Sequence, residues 1–320
     1  MMGEERIMMM IIYLKNIDNE IYMKHIEAFA KSHPSHYFTE RQDKNADIIL
    51  TESFSQGECD VFPRLKAVFA PIVGRNRFAL DALEQKNIQT FFVDGAPEIV
   101  AEHAFALALT LMGKVAAHDR NMKAGDRWSF EDSYWDSIYG ARVSILGAGR
   151  IGTALSRYLR PFNCTVTGFG RNTSRAEERG YDCLTNDLGS ALDRADVVFV
   201  SLELSAETYH LIAEREIARM RGAYLINIAR ADIIDEAALA AGIENRILKG
   251  FAADPWYCYP KSYPEGGLGE KDHVRPSRYD FYKRDNVVCA PHTGTQTVRA
   301  REIYIDQLLA KLDAYLTQGE

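Results

Sequence analysis

A chain of 320 residues with 47% hydrophobic side chains, 26% charged side chains and a formal net charge of −7 has a globular composition and room for about two domains of ordinary size. The composition excludes a disordered, collagen-like or fibrous protein, and the acidic balance leaves no basic footprint for nucleic acid. Its five cysteines (Cys59, Cys164, Cys183, Cys258, Cys289) are scattered without a CxxC pair, which argues against a disulfide framework or zinc site and suits the cytoplasm.

No apolar run reaches the ~18 residues of a membrane span. The run at 7–14 follows Glu4, Glu5 and Arg6 with no small-residue cleavage site after it, and reads as a first strand at 8–13 instead of a leader. A helix at 18–31, strands at 47–50 and 65–70, a helix at 77–86 and a strand at 88–93 follow. A long helix then spans 98–122, apolar on nearly every face (Ala104, Phe105, Leu107, Leu109, Leu111, Met112), as expected of a buried helix. A second series has strands at 142–146, 165–169, 197–202, 223–228 and 248–253, with a helix from 151. A Pro-, Gly- and charge-rich loop at 260–286 precedes a strand at 287–290 and an amphipathic helix at 297–316. Strands alternating with helices predict an α/β fold with parallel sheets in both halves.

Gly147-Ala148-Gly149-Arg150-Ile151-Gly152 is a GxGxxG turn between an apolar strand and an amphipathic helix. In that context the glycines allow a tight turn, close approach of a pyrophosphate and close helix–strand packing, while helix N-terminal amides hold the anion. An NAD site usually carries Asp or Glu about 20 residues after the glycines, for the ribose 2′-hydroxyl. Gly170 stands there instead, followed by Arg171, Asn172, Thr173, Ser174 and Arg175. With no carboxylate to repel a 2′-phosphate and guanidiniums to bind it, the expected cofactor is NADP, with NAD possible.

Together with Pro71-Ile72-Val73-Gly74, Val100-Ala101-Glu102-His103, the run from Ser201 to Thr208, that from Leu225 to Arg230, that from Gly250 to Asp254, and Pro291-His292-Thr293-Gly294, the chain resembles the D-isomer-specific 2-hydroxyacid dehydrogenase family over nearly its whole length. The resemblance implies a Rossmann dinucleotide-binding domain at 100–291 inserted in a flavodoxin-like substrate domain built from 1–99 and 292–320. It also implies a homodimer and a small 2-keto or 2-hydroxy acid substrate, in the manner of glyoxylate/hydroxypyruvate reductases. Arg230 would bind the substrate carboxylate and carbonyl oxygen, His292 would act as general acid, and the Val73 and Gly74 amides would complete the carboxylate cradle. Asp254 would accept from the nicotinamide carboxamide, and Ile228, Ala229 and Gly294 join the cofactor set. These roles are chemically apt: a guanidinium fork matches a carboxylate, and imidazole titrates near neutrality.

The chain departs from the family pattern mainly at one position, with two lesser departures, Ala231 where the family commonly has Gly and Glu203 where it often has Pro, that remove no reacting group. The family usually has Glu five residues after the strand-end Asp, hydrogen-bonded to the catalytic His; here that residue is Tyr259. A neutral phenol orients an imidazole without favouring its cation, so reduction is expected to fall off at more acidic pH than in Glu-bearing relatives. Trp256, Tyr257 and Tyr259 either narrow the substrate pocket or pack. The loop at 260–286 is longer than in most relatives and either covers the cleft or reaches a partner subunit. The Trp-bearing segment and missing Glu also admit formate dehydrogenase-like oxidation, and a non-catalytic dinucleotide-sensing protein is a third reading. No HxxxH or HExxH pair suggests a metal, and His103, beside Glu102, reads as structural.

Overall fold

The computed structural model describes residues 9–75, 77–125, 134–259 and 274–318. In chain order these form β1 (Ile11–Lys15), α1 (Glu20–Ser32), β2 (Tyr37–Thr39), β3 (Ile48–Thr51), β4 (Ala67–Ala70), α2 (Leu80–Gln85) and β5 (Gln89–Phe92). Next come α3 (Pro97–Met112), α4 (Val115–Ala124), β6 (Arg142–Leu146), α5 (Arg150–Leu159), β7 (Thr165–Phe169), β8 (Cys183–Thr185), α6 (Leu188–Leu192) and β9 (Val197–Val200). The chain closes with α7 (Glu214–Arg219), β10 (Tyr224–Asn227), α8 (Glu236–Glu244), β11 (Gly250–Ala253), β12 (Val287–Cys289) and α9 (Val298–Gln318).

The chain divides into two compact units, 1–96 with 295–320 and 97–294. Packing therefore places His292 with the second unit, whereas the sequence puts the return crossing at 292. In the first unit, strands β2-β1-β3-β4-β5 lie parallel in the flavodoxin order. The amphipathic α9 packs against α1, and Leu308 and Leu312 are fully buried. Gln307 on α9 accepts from the Asp94 amide at 2.8 Å and donates to the Gly95 carbonyl at 3.0 Å, so the C-terminal helix ties down the strand end at 94–95.

The second unit holds seven parallel strands in the order β12-β11-β10-β9-β6-β7-β8. Read from β8, this is the Rossmann order 3-2-1-4-5-6 extended by one strand. Side chains alternate between two cores. Val197 and Phe199 pack with Ala104, Leu107 and Leu111 of α3, whereas Val198 and Val200 pack with Ile217, Leu239 and Ile243 on the opposite face.

The single helix expected at 98–122 is two helices. Gly113 follows α3, Lys114 takes φ +52°, and the axes bend by 56°. A Cβ on Gly113 would stand 2.7 Å from the Leu109 carbonyl oxygen, so the break needs glycine there. Among the described residues no single helix is long and apolar enough to cross a membrane.

The loop at 260–286 is described in its second part. Residues 260–273 lie outside the described residues, but 274–286 folds back onto its own unit. Buried Glu236 accepts from Ser277 Oγ at 2.8 Å, from the Arg278 amide at 2.8 Å and from Arg278 Nε at 2.6 Å. Phe281, fully buried, packs against Phe251 and Trp256.

Candidate active site

The glycine turn joins β6 to α5. Gly147 has φ +111°, and a Cβ there would meet the Ser201 backbone at 2.6 Å. A Cβ on Gly152 would stand 2.2 Å from the Gly147 carbonyl oxygen, so helix and strand close up only on glycine. Gly149, the helix cap, differs: nothing lies within 4 Å of its added Cβ. That opening in front of the first α5 amides fits a dinucleotide pyrophosphate. Arg150 and Ile151 begin the helix, and Ser201 Oγ fixes the turn by donating to the Gly147 carbonyl at 2.8 Å.

At the end of β7, a Cβ on Gly170 would make only ordinary contact with Ala148, at 3.4 Å. Packing therefore does not impose the absence of a carboxylate. Arg171, Asn172 and Thr173 are exposed beyond it. Asn172 Oδ1 accepts from the Ser174 amide at 2.9 Å, closing an Asx turn. Arg175, counted with Arg171 as a phosphate ligand from sequence, adopts φ +53° and lies 3.6 Å from Glu178 in an exposed ion pair. Arg179 instead reaches back to the loop. Its Nη1 donates to the Asn172 carbonyl at 3.2 Å, its guanidinium lies over the Tyr181 ring, and it lines a cleft with Ala148, Gly149 and Arg150. Nothing in the sequence marked Arg179, because its distance from the turn is set by the intervening 3-10 turn at Glu177–Arg179.

Three adjacent parallel strands carry the other candidates. Arg230 follows β10, Asp254 follows β11 and His292 follows β12, so all three emerge at the carboxyl edge of one sheet, where ligands gather in open α/β folds. Adjacent strands lie ~4.8 Å apart, so β10 and β12 are separated by ~10 Å, a gap that an arginine, a histidine and a small anion between them can bridge together. Buried Asn227 shapes the turn that presents Arg230: its Oδ1 accepts from the Ala229 amide and its Nδ2 donates to the Arg230 carbonyl, both at 3.0 Å. Ile228 and Ala229 are buried, and Arg230 is exposed with Nη1 on the Ala229 carbonyl.

His292 is half-buried with φ +57°, a left-handed conformation uncommon outside glycine. Tyr259 presents its phenol oxygen 3.2 Å from His292 Nδ1, the two rings meeting edge-to-face. Its aromatic neighbours pack elsewhere. Trp256 is 6% exposed, donates Nε1 to the Ala253 carbonyl at 3.1 Å and stacks among Phe251 and Phe281, while Tyr257 donates to the Ile234 carbonyl at 2.9 Å.

Asp254 accepts from the Thr293 amide at 2.9 Å and the Gly294 amide at 2.6 Å, and His103 Nε2 lies 3.1 Å from its Oδ2. Burial pushes the Asp254 pKa up, but the His103 ring and the two amides outweigh it and hold the carboxyl below its usual range. His103, read from sequence as structural, thus faces Asp254, one of the candidate residues. Val73 and Gly74 follow β4 in the first unit; Val73 is exposed, and its Cγ2 would lie 3.0 Å from a Cβ on Gly95. Among the described residues no group of three or more His, Cys, Asp or Glu is placed to hold a metal.

Residues 105–294, more than half of the chain, match the family model described as D-isomer specific 2-hydroxyacid dehydrogenase, NAD binding domain. The chain is 28% identical over 297 residues to a glyoxylate reductase of Pyrococcus horikoshii, covering 87% of this chain and 81% of the relative. It is 29% identical over 269 residues to a glyoxylate/hydroxypyruvate reductase B of Yersinia enterocolitica, covering 80% and 77%. In fold it is similar to the NAD-complexed D-isomer specific 2-hydroxyacid dehydrogenase of Lactobacillus delbrueckii ssp. bulgaricus, with a TM-score of 0.79, 20% identity and 96% of each chain covered. By its matched domain, its glycine turn and its strand order, the chain belongs to the D-isomer-specific 2-hydroxyacid dehydrogenase family.

Proposed function

We propose that this protein reduces small 2-keto acids of the glyoxylate and hydroxypyruvate class to 2-hydroxy acids, with NADPH preferred over NADH. The observation that supports this most is the emergence of Arg230, Asp254 and His292 from three neighbouring strands of the sheet that bears the glycine turn.

A reduced nicotinamide dinucleotide, held through its pyrophosphate at the Gly147–Gly152 turn, would supply the hydride that the carbonyl carbon takes up. Arg230 grips the substrate carboxylate and carbonyl oxygen, drawing charge toward the oxygen as the carbonyl opens. His292 gives its proton to that oxygen, and Tyr259 holds the imidazole from behind. A phenol both donates and accepts, so it serves Nδ1 whether the ring is neutral or protonated. Asp254, expected from the family pattern to accept from the nicotinamide carboxamide, is enclosed with its oxygens on the Thr293 and Gly294 amides and so serves the His292 turn instead. The Val73 and Gly74 amides are assigned to the carboxylate. The NADPH preference is supported by the unforced Gly170 and by Arg150 and Arg179 on one cleft, with Arg171, Asn172 and Thr173 beside it.

A homodimer is part of this reading. It is supported by the large side chains exposed on the second unit, Leu109, Val115, Met122, Tyr134, Trp135 and Tyr139, and sedimentation velocity tests it. A reducing, cytoplasmic setting is supported by five free cysteines.

The test is steady-state turnover of a 2-keto acid panel with NADPH and with NADH. Turnover of a small keto acid with higher kcat/KM for NADPH is expected. Tight cofactor binding without turnover of any keto acid would overturn the enzyme reading in favour of a dinucleotide sensor. Formate oxidation surviving His292→Ala would favour the formate alternative.

A further inference from the structure

The turn that carries His292 is held by a buried carboxylate. Asp254 spends one oxygen on the Thr293 amide and the other on the Gly294 amide, the two residues that follow the left-handed His292. A carboxylate in this position stays ionised only if something opposes its burial. The opposing group comes from α3, far away in sequence. His103 Nε2 is enclosed and lies 3.1 Å from Asp254 Oδ2, at ion-pair distance but off the line of a ring N–H hydrogen bond. An imidazole N–H, neutral or charged, presents positive potential to the carboxylate. The turn lies close on this pair: a Cβ on Gly294 would stand 3.2 Å from Asp254 Oδ2 and 3.4 Å from His103 Cδ2. His103 is the ring set against the Asp254 carboxylate, and its neighbour Glu102 is exposed.

We propose that His103 is a positioning residue for His292, acting through the Asp254 carboxylate and the Thr293 and Gly294 amides. This rests on the reading of His292 as proton donor. Loss of the His103 ring leaves Asp254 buried against two amides alone. Its proton then binds more readily, the protonated carboxyl accepts less well from the amides, and the turn relaxes from the geometry that aims the imidazole. In His103→Gln the side-chain amide keeps an N–H donor in reach of the carboxylate.

The experiment compares His103→Ala, His103→Gln, Asp254→Asn and the Ala/Asn double variant. The expected result for His103→Ala is a kcat reduced about tenfold, keto-acid KM changed less than kcat, and an acid limb of the pH–rate profile moved to higher pH. His103→Gln restores most of kcat. In the Asp254→Asn background, removing His103 adds little further loss, the signature of residues acting as one unit. A kcat within twofold of the parent with an unmoved acid limb, or fully additive losses, would overturn the proposal. If His103→Ala does not fold, the same profile is read on His103→Gln, where a loss equal to that of Asp254→Asn counts against the role given to its N–H. The pair is also read without turnover, as coupling between His103→Ala and Asp254→Asn in the thermal unfolding of the cofactor-free protein. That coupling stands even if His292→Ala retains keto-acid turnover, which would instead sink the proton-donor reading.

Discussion

The phenol of Tyr259 lies 3.2 Å from His292 Nδ1, so the imidazole has a neutral hydrogen-bonding partner where the family pattern has a carboxylate. Replacing Tyr259 by Phe removes a hydrogen bond worth roughly 0.5–1.5 kcal/mol, or about 2- to 13-fold in rate. The expected outcome is a kcat/KM several-fold lower. Tyr259→Glu supplies a charge that favours the imidazolium, so the alkaline limb of keto-acid reduction should move to higher pH. A pH–rate profile unchanged in both variants would remove Tyr259 from the site.

Arg230 is exposed at the end of β10 and its turn is built by Asn227. Arg230→Lys loses the planar fork while keeping the charge. Hydrogen bonds to charged groups contribute roughly 1.5–3 kcal/mol, so kcat/KM for the keto acid should fall about 10- to 150-fold. The KM for the nicotinamide cofactor should change far less. Equal losses in both parameters would place Arg230 outside the substrate's reach.

Cofactor choice is tested at Arg179, which stacks on Tyr181 and lines the cleft beside Gly149 and Arg150. Arg179→Met keeps an unbranched apolar stem on the tyrosine and removes the guanidinium. We expect kcat/KM with NADPH to drop about tenfold or more and that with NADH to change little. Parallel losses with the two cofactors would exclude a role in 2′-phosphate recognition.

Acid stability follows from the carboxylates. Burial raises the Asp254 pKa, but His103 and two amides bring it below the usual range, and hydrogen bonds from Lys249 and Tyr224 lower Asp136. In the unfolded chain both return to about 3.9. The unfolded state therefore binds more protons as pH falls, so the stability these groups give at neutral pH declines through that ordinary value and is gone below the depressed native ones. Asp136 is partly exposed and counts for less. Melting temperature should fall as pH drops from about 5 through the ordinary carboxyl value and keep falling below it, and Asp254→Asn should flatten the curve as well as lower it. Parallel Tm–pH curves for parent and variant would contradict this.

Both parallel sheets were legible from sequence because β3, β4, β9, β10 and β11 are buried on both faces and read as short apolar runs. The edge strands β2 and β8 were not, since three residues with partly exposed side chains carry no usable period. The break between α3 and α4 was hidden by apolar residues running up to Met112; only Gly113 hinted at it.

The site divides in the same way. Strand-end residues such as Arg230, Asp254 and His292 stand out locally because a polar side chain closes an apolar run. Which of Trp256, Tyr257 and Tyr259 faces the imidazole depends on a turn whose path is set by Trp256 docking against Phe251 and Phe281. The facing of His103 and Asp254 depends on how α3 crosses the sheet, which no local pattern encodes.

The account rests most directly on whether one small anion is held by both Arg230 and His292. A crystal structure with NADPH and oxamate, an unreactive keto-acid analogue, measures this. The predicted result is guanidinium and imidazole nitrogens both at ~3 Å from oxamate oxygens, with Nε2 of His292 on the oxygen equivalent to the carbonyl. Oxamate bound with either side chain turned away from it would contradict the account.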